Sequence, residues 1–294
     1  MTRLAFLGTP DVAAVVLRAL HDAGHEVALV VTPPDRRRGR GSGLVPTPVK
    51  RCALELGLPV SDHIAEVVAA HVELGVVVAF GTIIRPDVLE QVPMVNLHFS
   101  LLPRWRGAAP VERTILAGDE LTGVSLMALD EGLDTGPVYA RLETSVLAEE
   151  SAAQLRDRLA ALGARLLVDR LVAGLATLGT PEPQVGEASY AAKIDREELR
   201  LAWERPAVEL DRVVRVGRAW TTFRSNRLIL ERARQVAAAP VADEFAPGTL
   251  LGDDVVCGVG RLELLEVRQE GRSAQPFGAW RRGARPVPGE RFGT

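Results

Sequence analysis

Three polar side chains between Val95 and Pro137 have the types and the spacing needed for acyl transfer to an amine. Asn96 and His98 alternate with apolar residues in a strand-like segment, so both side chains should lie on one face of a strand. Asp134 follows in the glycine-rich run Asp130–Gly136. An amide can hold a carbonyl oxygen, an imidazole can move protons, and a carboxylate can orient or charge the imidazole. Since no serine nucleophile motif accompanies this set, it predicts direct transfer between two bound substrates.

The sequence leaves two alternatives open at this candidate site. Asp130 and Glu131 compete with Asp134 on composition alone, because Asp and Gly are also common turn residues. A structural core histidine is the alternative interpretation of His98, although its place in an apolar strand sets it apart from the other histidines. Ser100 is not expected to be a nucleophile, because the chain has no G-x-S-x-G turn.

The elements that must position these residues alternate between strands and helices. The predicted strands are Arg3–Gly8, Glu26–Thr32, Val76–Phe80 and Val95–Ser100, and the predicted helices are Asp11–Ala23, Val49–Leu56 and Glu150–Leu178. This order predicts an α/β fold with a mostly parallel, Rossmann-like sheet. Ligands bind beyond the carboxyl ends of the strands in such sheets, and Asn96 and His98 lie toward one such end.

The pattern changes in the last third of the chain. A predicted helix over Ala207–Val216 is followed by short β-like runs with turn signals, which are typical of a small β-barrel (OB-like) domain. We therefore predict a catalytic domain over residues 1–178, a linker over 179–203 and a β-barrel-like domain over 204–294.

A basic loop between Pro33 and Pro48 is the second candidate for function. Its arginines stand between glycines and are Arg36, Arg37, Arg38 and Arg40. Guanidinium groups suit the phosphate backbone of a nucleic acid, and a solvated basic loop is the alternative interpretation. The loop is not a Walker A motif, because no G-K-[ST] ends it.

Composition and charge exclude several classes of protein. The 294 residues are 47% hydrophobic and 25% charged with a net charge of −3, as in an ordinary soluble globular protein and unlike a polycation. No apolar run approaches the roughly 20 residues needed to span a bilayer, and the N-terminus has no signal-like apolar region, so we expect a cytoplasmic protein. Cys52 and Cys257 are expected to be reduced, and no metal site is expected.

Several blocks make the chain resemble the methionyl-tRNA formyltransferase family nearly from end to end. The blocks are Phe6–Asp11, Asn96–Pro103, Arg104–Pro110, Leu133–Gly136, Tyr190–Ile194 and Leu201–Trp203. The wider formyltransferase group shares Asn96, His98 and Asp134. The Arg-Gly-Ala-Ala-Pro run and the basic loop point to the tRNA member of that group.

The resemblance implies 10-formyltetrahydrofolate as the formyl donor and the α-amine of methionyl initiator tRNA as the acceptor, in a cytoplasmic monomer. It implies that Asn96 holds the formyl oxygen, that His98 stabilises the tetrahedral intermediate and shuttles a proton, and that Asp134 pairs with His98 and helps to deprotonate the amine. The folate-binding residues that it implies are Ser100, Leu101, Leu102, Pro103, Phe80, Gly81, Thr82 and Ile83. The four arginines and the domain over 204–294 would contact tRNA.

The chain departs from the family pattern where it would face tRNA. Ser42 and Gly43 stand where family loops often carry lysines, and Val216–Trp220 stands where a Pro-Trp-rich element is expected. A formyltransferase acting on a small amine, such as a nucleotide-linked amino sugar, is the alternative enzyme and would need no arginine loop. A folate- or tRNA-binding module without catalysis is a third possibility, against which the intact Asn/His/Asp set argues.

Overall fold

The computed structural model describes residues 1–37, 43–236 and 245–294, and the chain divides into two compact units. The first unit comprises Met1–Val111, Leu121–Ser145 and Arg156–Ala192. The second comprises Glu112–Glu120, Val146–Leu155 and Lys193–Thr294. The helices α5 (Pro110–Ala117) and α6 (Ala152–Arg170) each contribute residues to both units.

Strands and helices alternate along the first unit. The strands are β1 (Arg3–Gly8), β2 (Glu26–Val31), β3 (Arg36–Arg37), β4 (Leu44–Val45), β5 (Val60–Ser61), β6 (Leu74–Val78), β7 (Met94–His98), β8 (Arg106–Gly107), β9 (Leu121–Ala128), β10 (Val138–Ser145) and β11 (Tyr190–Ala191). The remaining helices are α1 (Asp11–Asp22), α2 (Pro48–Glu55), α3 (Glu66–Ala69) and α4 (Pro86–Leu89). These bounds agree closely with the strands and helices expected from hydrophobic periodicity.

The central sheet has seven strands in the order β10-β9-β7-β6-β1-β2-β5. The five strands from β7 to β5 run parallel, whereas β9 and β10 join antiparallel at one edge. All five residues of β6 are buried, as expected for a parallel strand that is covered on both faces. The predicted α/β class with a mostly parallel, Rossmann-like sheet is confirmed.

The second unit is built on an antiparallel sheet. Its elements are α7 (Ala207–Val216), β12 (Ala219–Phe223), β13 (Asn226–Val236), β14 (Leu250–Leu251), β15 (Asp254–Val256), β16 (Arg261–Gln269), β17 (Gln275–Pro276) and α8 (Phe277–Ala284). The strand order is β12-β13-β16-β15-β14, with β17 paired to β16. An aromatic core fills the unit, in which Phe223 lies 5.1 Å from Trp280 and 5.3 Å from Phe292 between ring centroids. This arrangement fits the small C-terminal β domain predicted from the sequence.

The region between α6 and α7 differs from the prediction at its start. The long helix expected to reach Leu178 ends at Arg170, and Gly174, in the left-handed region at φ +84°, precedes a separate 3-10 turn over Leu175–Thr177. In the predicted linker 179–203, residues up to Ala192 belong to the first unit and those from Lys193 to the second. The first half of this segment is held by backbone hydrogen bonds to residues far away in sequence, and a local sequence pattern does not predict such bonds.

No helix in the described ranges is long and apolar enough to cross a membrane.

Candidate active site

Strand β7 brings Asn96 and His98 to the carboxyl edge of the sheet. The strand lies between β6 and β9, so that Asn96 is opposite Val77 on one side and Met127 on the other. His98 ends the strand opposite Ser125 and is buried. Both side chains lie within contact distance of one carboxylate, as their alternation in the sequence predicts.

That carboxylate is Asp134, in the loop that joins β9 to β10. The Asn96 side-chain amide donates to its Oδ1 at 3.2 Å, and the backbone N–H of Gly107 donates to its Oδ2 at 2.8 Å. Nδ1 of His98 lies 3.6 Å from the same Oδ2. Only 12% of the Asp134 side chain is exposed, so solvent weakens these interactions little. The structure therefore brings the three predicted catalytic residues together.

The surroundings of Asp134 differ from those of its two acidic neighbours in the same loop. Asp130 is exposed and accepts hydrogen bonds from the Gly132 N–H at 3.1 Å and the Thr135 hydroxyl at 2.9 Å, as a turn carboxylate does. Glu131 is exposed as well. Asp134 itself has φ +53°, a left-handed conformation that aspartate tolerates better than most residues and that turns its side chain toward His98.

The other ring nitrogen of His98 fixes the orientation of the imidazole. Nε2 lies 2.8 Å from the carbonyl oxygen of Trp105. Because a carbonyl can only accept, Nε2 carries a proton and donates it, which leaves Nδ1 facing Asp134. Trp105 has φ +62°, a conformation that costs a bulky residue about 1–3 kcal/mol and therefore needs support from its surroundings. Part of that support is the Ser189 hydroxyl, which accepts from the Trp105 N–H at 2.9 Å.

Two glycines allow the loops around Asp134 to pack this closely. Gly107 has φ +112°, and a Cβ atom there would meet the carbonyl oxygen of Ala191 at 3.0 Å. A Cβ atom on Gly136 would stand 1.9 Å from the carbonyl oxygen of Ala128. A side chain at either position would push the backbone away from Asp134.

The turn that follows β7 contains half of the predicted folate-binding residues. Ser100 is buried, its hydroxyl donates to the Arg104 carbonyl at 2.5 Å, and its carbonyl accepts from the Ser125 hydroxyl at 2.7 Å. Leu102 is also buried, and its N–H donates to the Ser125 hydroxyl at 3.1 Å. Leu101 and Pro103 are half-buried. These hydrogen bonds hold the turn in one conformation, in which the side chains of Ser100 and Leu102 face the protein.

The other predicted folate-binding residues follow β6, the strand beside β7. Phe80 is buried, and its carbonyl accepts from the Thr9 hydroxyl at 3.0 Å. Gly81 and Thr82 are exposed, and Ile83 is 89% exposed. A large apolar side chain so open to solvent is well suited to cover an apolar part of a ligand. Because β6 and β7 are parallel neighbours, both predicted segments lie at the same edge of the sheet.

The basic loop is only partly within the described residues. Arg36 and Arg37 form β3, which pairs with β4, and both side chains are exposed. Arg38 and Arg40, the other two predicted tRNA contacts, lie outside the described residues. The base of this hairpin is held by an ion pair of 2.8 Å between Lys50 and Asp35.

The sequence prediction missed the groups that hold the site in place. Gly107 and Trp105 act through their backbone, so their residue types gave no chemical signal. Gln184 and Ser189 come from the predicted linker and contact the site across 50 and 84 positions of sequence. The signals in the sequence that pointed to this neighbourhood were the blocks Arg104–Pro110, Leu133–Gly136 and Tyr190–Ile194.

Two further observations bear on the chemistry. Within the described ranges, no three His, Cys, Asp or Glu side chains are grouped so that they could hold a metal ion. Both cysteines are buried, and burial raises the pKa of the Cys257 thiol to about 12. Since the thiolate is the reactive form, Cys257 is a poor nucleophile at neutral pH.

Comparison with known proteins gives a consistent result over the whole chain. The formyl transferase family model matches residues 2–171, and the model of the formyl transferase C-terminal domain matches residues 193–285. The methionyl-tRNA formyltransferase of Ruegeria pomeroyi is 45% identical, over 97% of this chain and 98% of its own. A crystal structure of HypX from Aquifex aeolicus in complex with tetrahydrofolic acid matches 95% of this chain with a TM-score of 0.63 at 17% identity, and the chain spans 47% of that protein. The N-formyltransferase of Helicobacter canadensis, solved with folinic acid and dTDP-3-aminofucose, has a TM-score of 0.67 at 16% identity over 90% of this chain and 99% of that one.

Proposed function

The chain belongs to the methionyl-tRNA formyltransferase family, and from this premise we propose that Asn96, His98 and Asp134 carry out the chemistry of the transfer. The enzyme formylates the methionyl group of initiator tRNA and takes the formyl group from 10-formyltetrahydrofolate. The observation that carries the proposal is the convergence of one amide, one imidazole and one backbone N–H on the largely buried carboxylate of Asp134.

The first step forms the new bond. The neutral α-amine of the methionyl group attacks the formyl carbon, and the electrons of the carbonyl double bond move to the formyl oxygen. The Asn96 amide has two N–H groups, one of which donates to Asp134, so the other is free to donate to this oxyanion. His98, when doubly protonated, adds a positive charge beside the tetrahedral intermediate. Both groups act more strongly on the intermediate than on the neutral formyl group.

The second step moves a proton and breaks the old bond. The attacking nitrogen, now positively charged, gives a proton to the carboxylate of Asp134. The 3.6 Å between Oδ2 and Nδ1 of His98 allows that proton to be shared with the imidazole. As the intermediate collapses, the oxyanion re-forms the carbonyl double bond, the bond between the formyl carbon and N10 of the folate breaks, and N10 takes the proton that Asp134 and His98 received from the amine. The products are formyl-methionyl-tRNA and tetrahydrofolate, with no net gain or loss of protons.

We further propose that the folate lies against the fixed turn 100–103 and the segment 80–83, which share one edge of the sheet. The exposed Ile83 would cover an apolar part of the folate. Arg36 and Arg37 would contact phosphates of the tRNA acceptor end, together with Arg38 and Arg40. The division into a catalytic part over 1–178 and a tRNA-contacting domain over 204–294 is part of this proposal, as is a cytoplasmic monomer.

The choice of tRNA over a small amine as acceptor is supported by sequence identity. The structures of HypX and of the Helicobacter canadensis N-formyltransferase are each below 20% identical to this chain, so their likeness speaks for the fold alone. The 45% identity to a methionyl-tRNA formyltransferase covers both units and extends over nearly the full length.

The test is a reaction of the purified protein with 10-formyltetrahydrofolate and charged methionyl initiator tRNA, in which formyl-methionyl product is measured. A parallel reaction offers a nucleotide-linked amino sugar in place of tRNA. We expect many turnovers with tRNA and none with the sugar. Multiple turnover with the sugar alone would overturn the acceptor, and a catalytically normal D134N variant would overturn the assigned chemistry.

A further inference from the structure

We propose that two residues of the segment 182–191, here called the strap, position the catalytic residues: Gln184 holds Asp134, and Ser189 holds the carbonyl group that orients His98. The inference rests on the proposed function of Asp134 and His98. The strap lies entirely in the first unit and crosses the loops that follow β7 and β9.

Gln184 is bonded through every donor and acceptor position of its side chain. Its amide nitrogen donates to the backbone carbonyls of Asp134 and Gly136, both at 2.8 Å. Its amide oxygen accepts from Nε of Arg106 at 3.0 Å and from Nη2 of the same guanidinium at 2.7 Å. An amide has two N–H groups and two lone pairs, so this side chain is fully satisfied. It therefore fixes the backbone at Asp134, which carries the carboxylate, and at Gly136, two residues further along the loop.

These bonds form a closed ring around Asp134. Gln184 holds the Asp134 backbone and the Arg106 guanidinium, Arg106 precedes Gly107 in β8, and the Gly107 N–H donates back to the Asp134 carboxylate at 2.8 Å. Asp134 also has the left-handed φ of +53°. A backbone held in such a conformation persists where its surroundings over-determine it, and Gln184 supplies two of the bonds that do so.

The other end of the strap supports the opposite side of the imidazole. The Ser189 hydroxyl accepts from the Trp105 N–H at 2.9 Å, and the Ser189 carbonyl accepts from the Arg106 N–H at 2.8 Å. Trp105 has φ +62°, and its carbonyl accepts from Nε2 of His98 at 2.8 Å. The two residues in left-handed conformations that contact His98 are thus each held by one residue of the strap.

The strap itself is attached independently of the Gln184 side chain. Glu182 exchanges two backbone hydrogen bonds with Val138, at 2.7 and 3.0 Å. The carbonyl of Ala191 accepts from the N–H groups of Ala108 and Ala109 at 2.9 and 3.1 Å. Between these anchors, Val185 is 84% exposed. Truncating Gln184 should therefore loosen Asp134 while the strap stays in place, and truncating Val185 should change little.

The experiment compares Gln184→Ala with the neighbouring Val185→Ala in steady-state formylation of methionyl initiator tRNA. We expect Q184A to lower kcat by about 10- to 100-fold with KM for both substrates unchanged, the usual scale for a group that orients a reacting residue. V185A should retain wild-type kcat. A thermal unfolding curve of each variant confirms that the assayed protein is folded at the assay temperature.

Combining Q184A with D134N separates positioning from general structural support. If Gln184 acts through the Asp134 carboxylate, adding Q184A to D134N should lower turnover little further, because the group that it positions is already gone. An equal loss in both backgrounds, or a wild-type kcat for Q184A alone, would overturn the strap proposal while leaving the chemistry of Asp134 intact. Normal turnover by D134N would instead remove the proposed function on which the strap proposal rests.

Discussion

Asp134→Asn is the perturbation that examines the proposed chemistry most directly. The carboxylate accepts from the Asn96 amide and the Gly107 N–H and faces Nδ1 of His98 at 3.6 Å. An asparagine has nearly the same size but has one acceptor oxygen and no charge. Its NH2 group takes the place of one of the two carboxylate oxygens. In one orientation of the amide this NH2 group faces the Asn96 amide, and in the other it faces the Gly107 N–H, so two donors oppose each other in both cases.

The size of the effect follows from the distance to the imidazole. Two unit charges 3.6 Å apart, at an effective dielectric constant of about 20 to 40, interact with roughly 2–5 kcal/mol. When His98 is positively charged in the transition state, D134N loses that interaction. At about 1.4 kcal/mol for each factor of ten in rate, kcat should fall by roughly 50- to 2,000-fold. This range overlaps the roughly 10²–10⁴-fold that is usual for an acid–base group, and we expect a similar loss for His98→Ala.

Single-turnover formylation with saturating folate and tRNA is the appropriate assay, because it isolates the chemical step from product release. Two variants of the same loop serve as matched controls. Glu131→Gln alters an exposed side chain, and Asp130→Asn alters the carboxylate that closes the turn but keeps one acceptor oxygen. We expect both controls to react within a few-fold of wild type. A D134N rate equal to that of its controls, in folded protein, would refute the reasoning.

Three other predictions concern the tRNA interface, the site backbone and the thiols. Replacing Arg36 and Arg37 by Ala should raise KM for tRNA and leave KM for folate unchanged, and should reduce the salt dependence of tRNA binding by about one unit of slope for each phosphate that is no longer neutralised. Gly107→Ala should destabilise the protein by about 1–3 kcal/mol in urea unfolding and lower kcat, because its φ of +112° and the Ala191 carbonyl leave no room for a Cβ atom. Cys52 and Cys257 should resist a thiol reagent at about pH 8 in the native protein and react after unfolding, because burial raises the pKa of both thiols.

Each of these predictions has an outcome that contradicts it. An unchanged salt response in the Arg36 and Arg37 double variant would remove these residues from the tRNA interface. A Gly107→Ala variant with normal stability and turnover would mean that strands β8 and β11 can shift to accommodate the added Cβ atom without moving Asp134. Rapid modification of either cysteine in folded protein would contradict its burial.

Much of the fold could be predicted because its signals are local. The apolar runs that became β1, β2 and β6 are continuous, as expected for strands buried on both faces, and the helices between them have one apolar side. The agreement is weaker after α6, where the expected helix to Leu178 stops at Arg170. The left-handed Gly174 follows this stop, and the sequence showed it only as one glycine among many.

The choice among the three acidic residues of the 130–134 run shows where sequence reasoning ends. Asp130, Glu131 and Asp134 are alike in type and lie in one glycine-rich turn. What separates them is which carboxylate meets the Asn96 amide and the Gly107 N–H, and those groups arrive from other parts of the chain. The spacing of residues along the chain does not give the distances between these groups in the folded protein.

The sequence by itself determined the α/β class, the pairing of Asn96 with His98 on one strand face, and the family to which the chain belongs. Those properties follow from the two-residue period of a strand and from residue types, which are written directly in the chain. The tertiary structure is needed to see that the Asp134 carboxylate meets Asn96 and His98 and that Gln184 and Ser189 of the strap contact Asp134 and Trp105. The reason is that backbone carbonyls and N–H groups make most of these contacts, and every residue except proline offers both, so their selection depends on the folded chain alone.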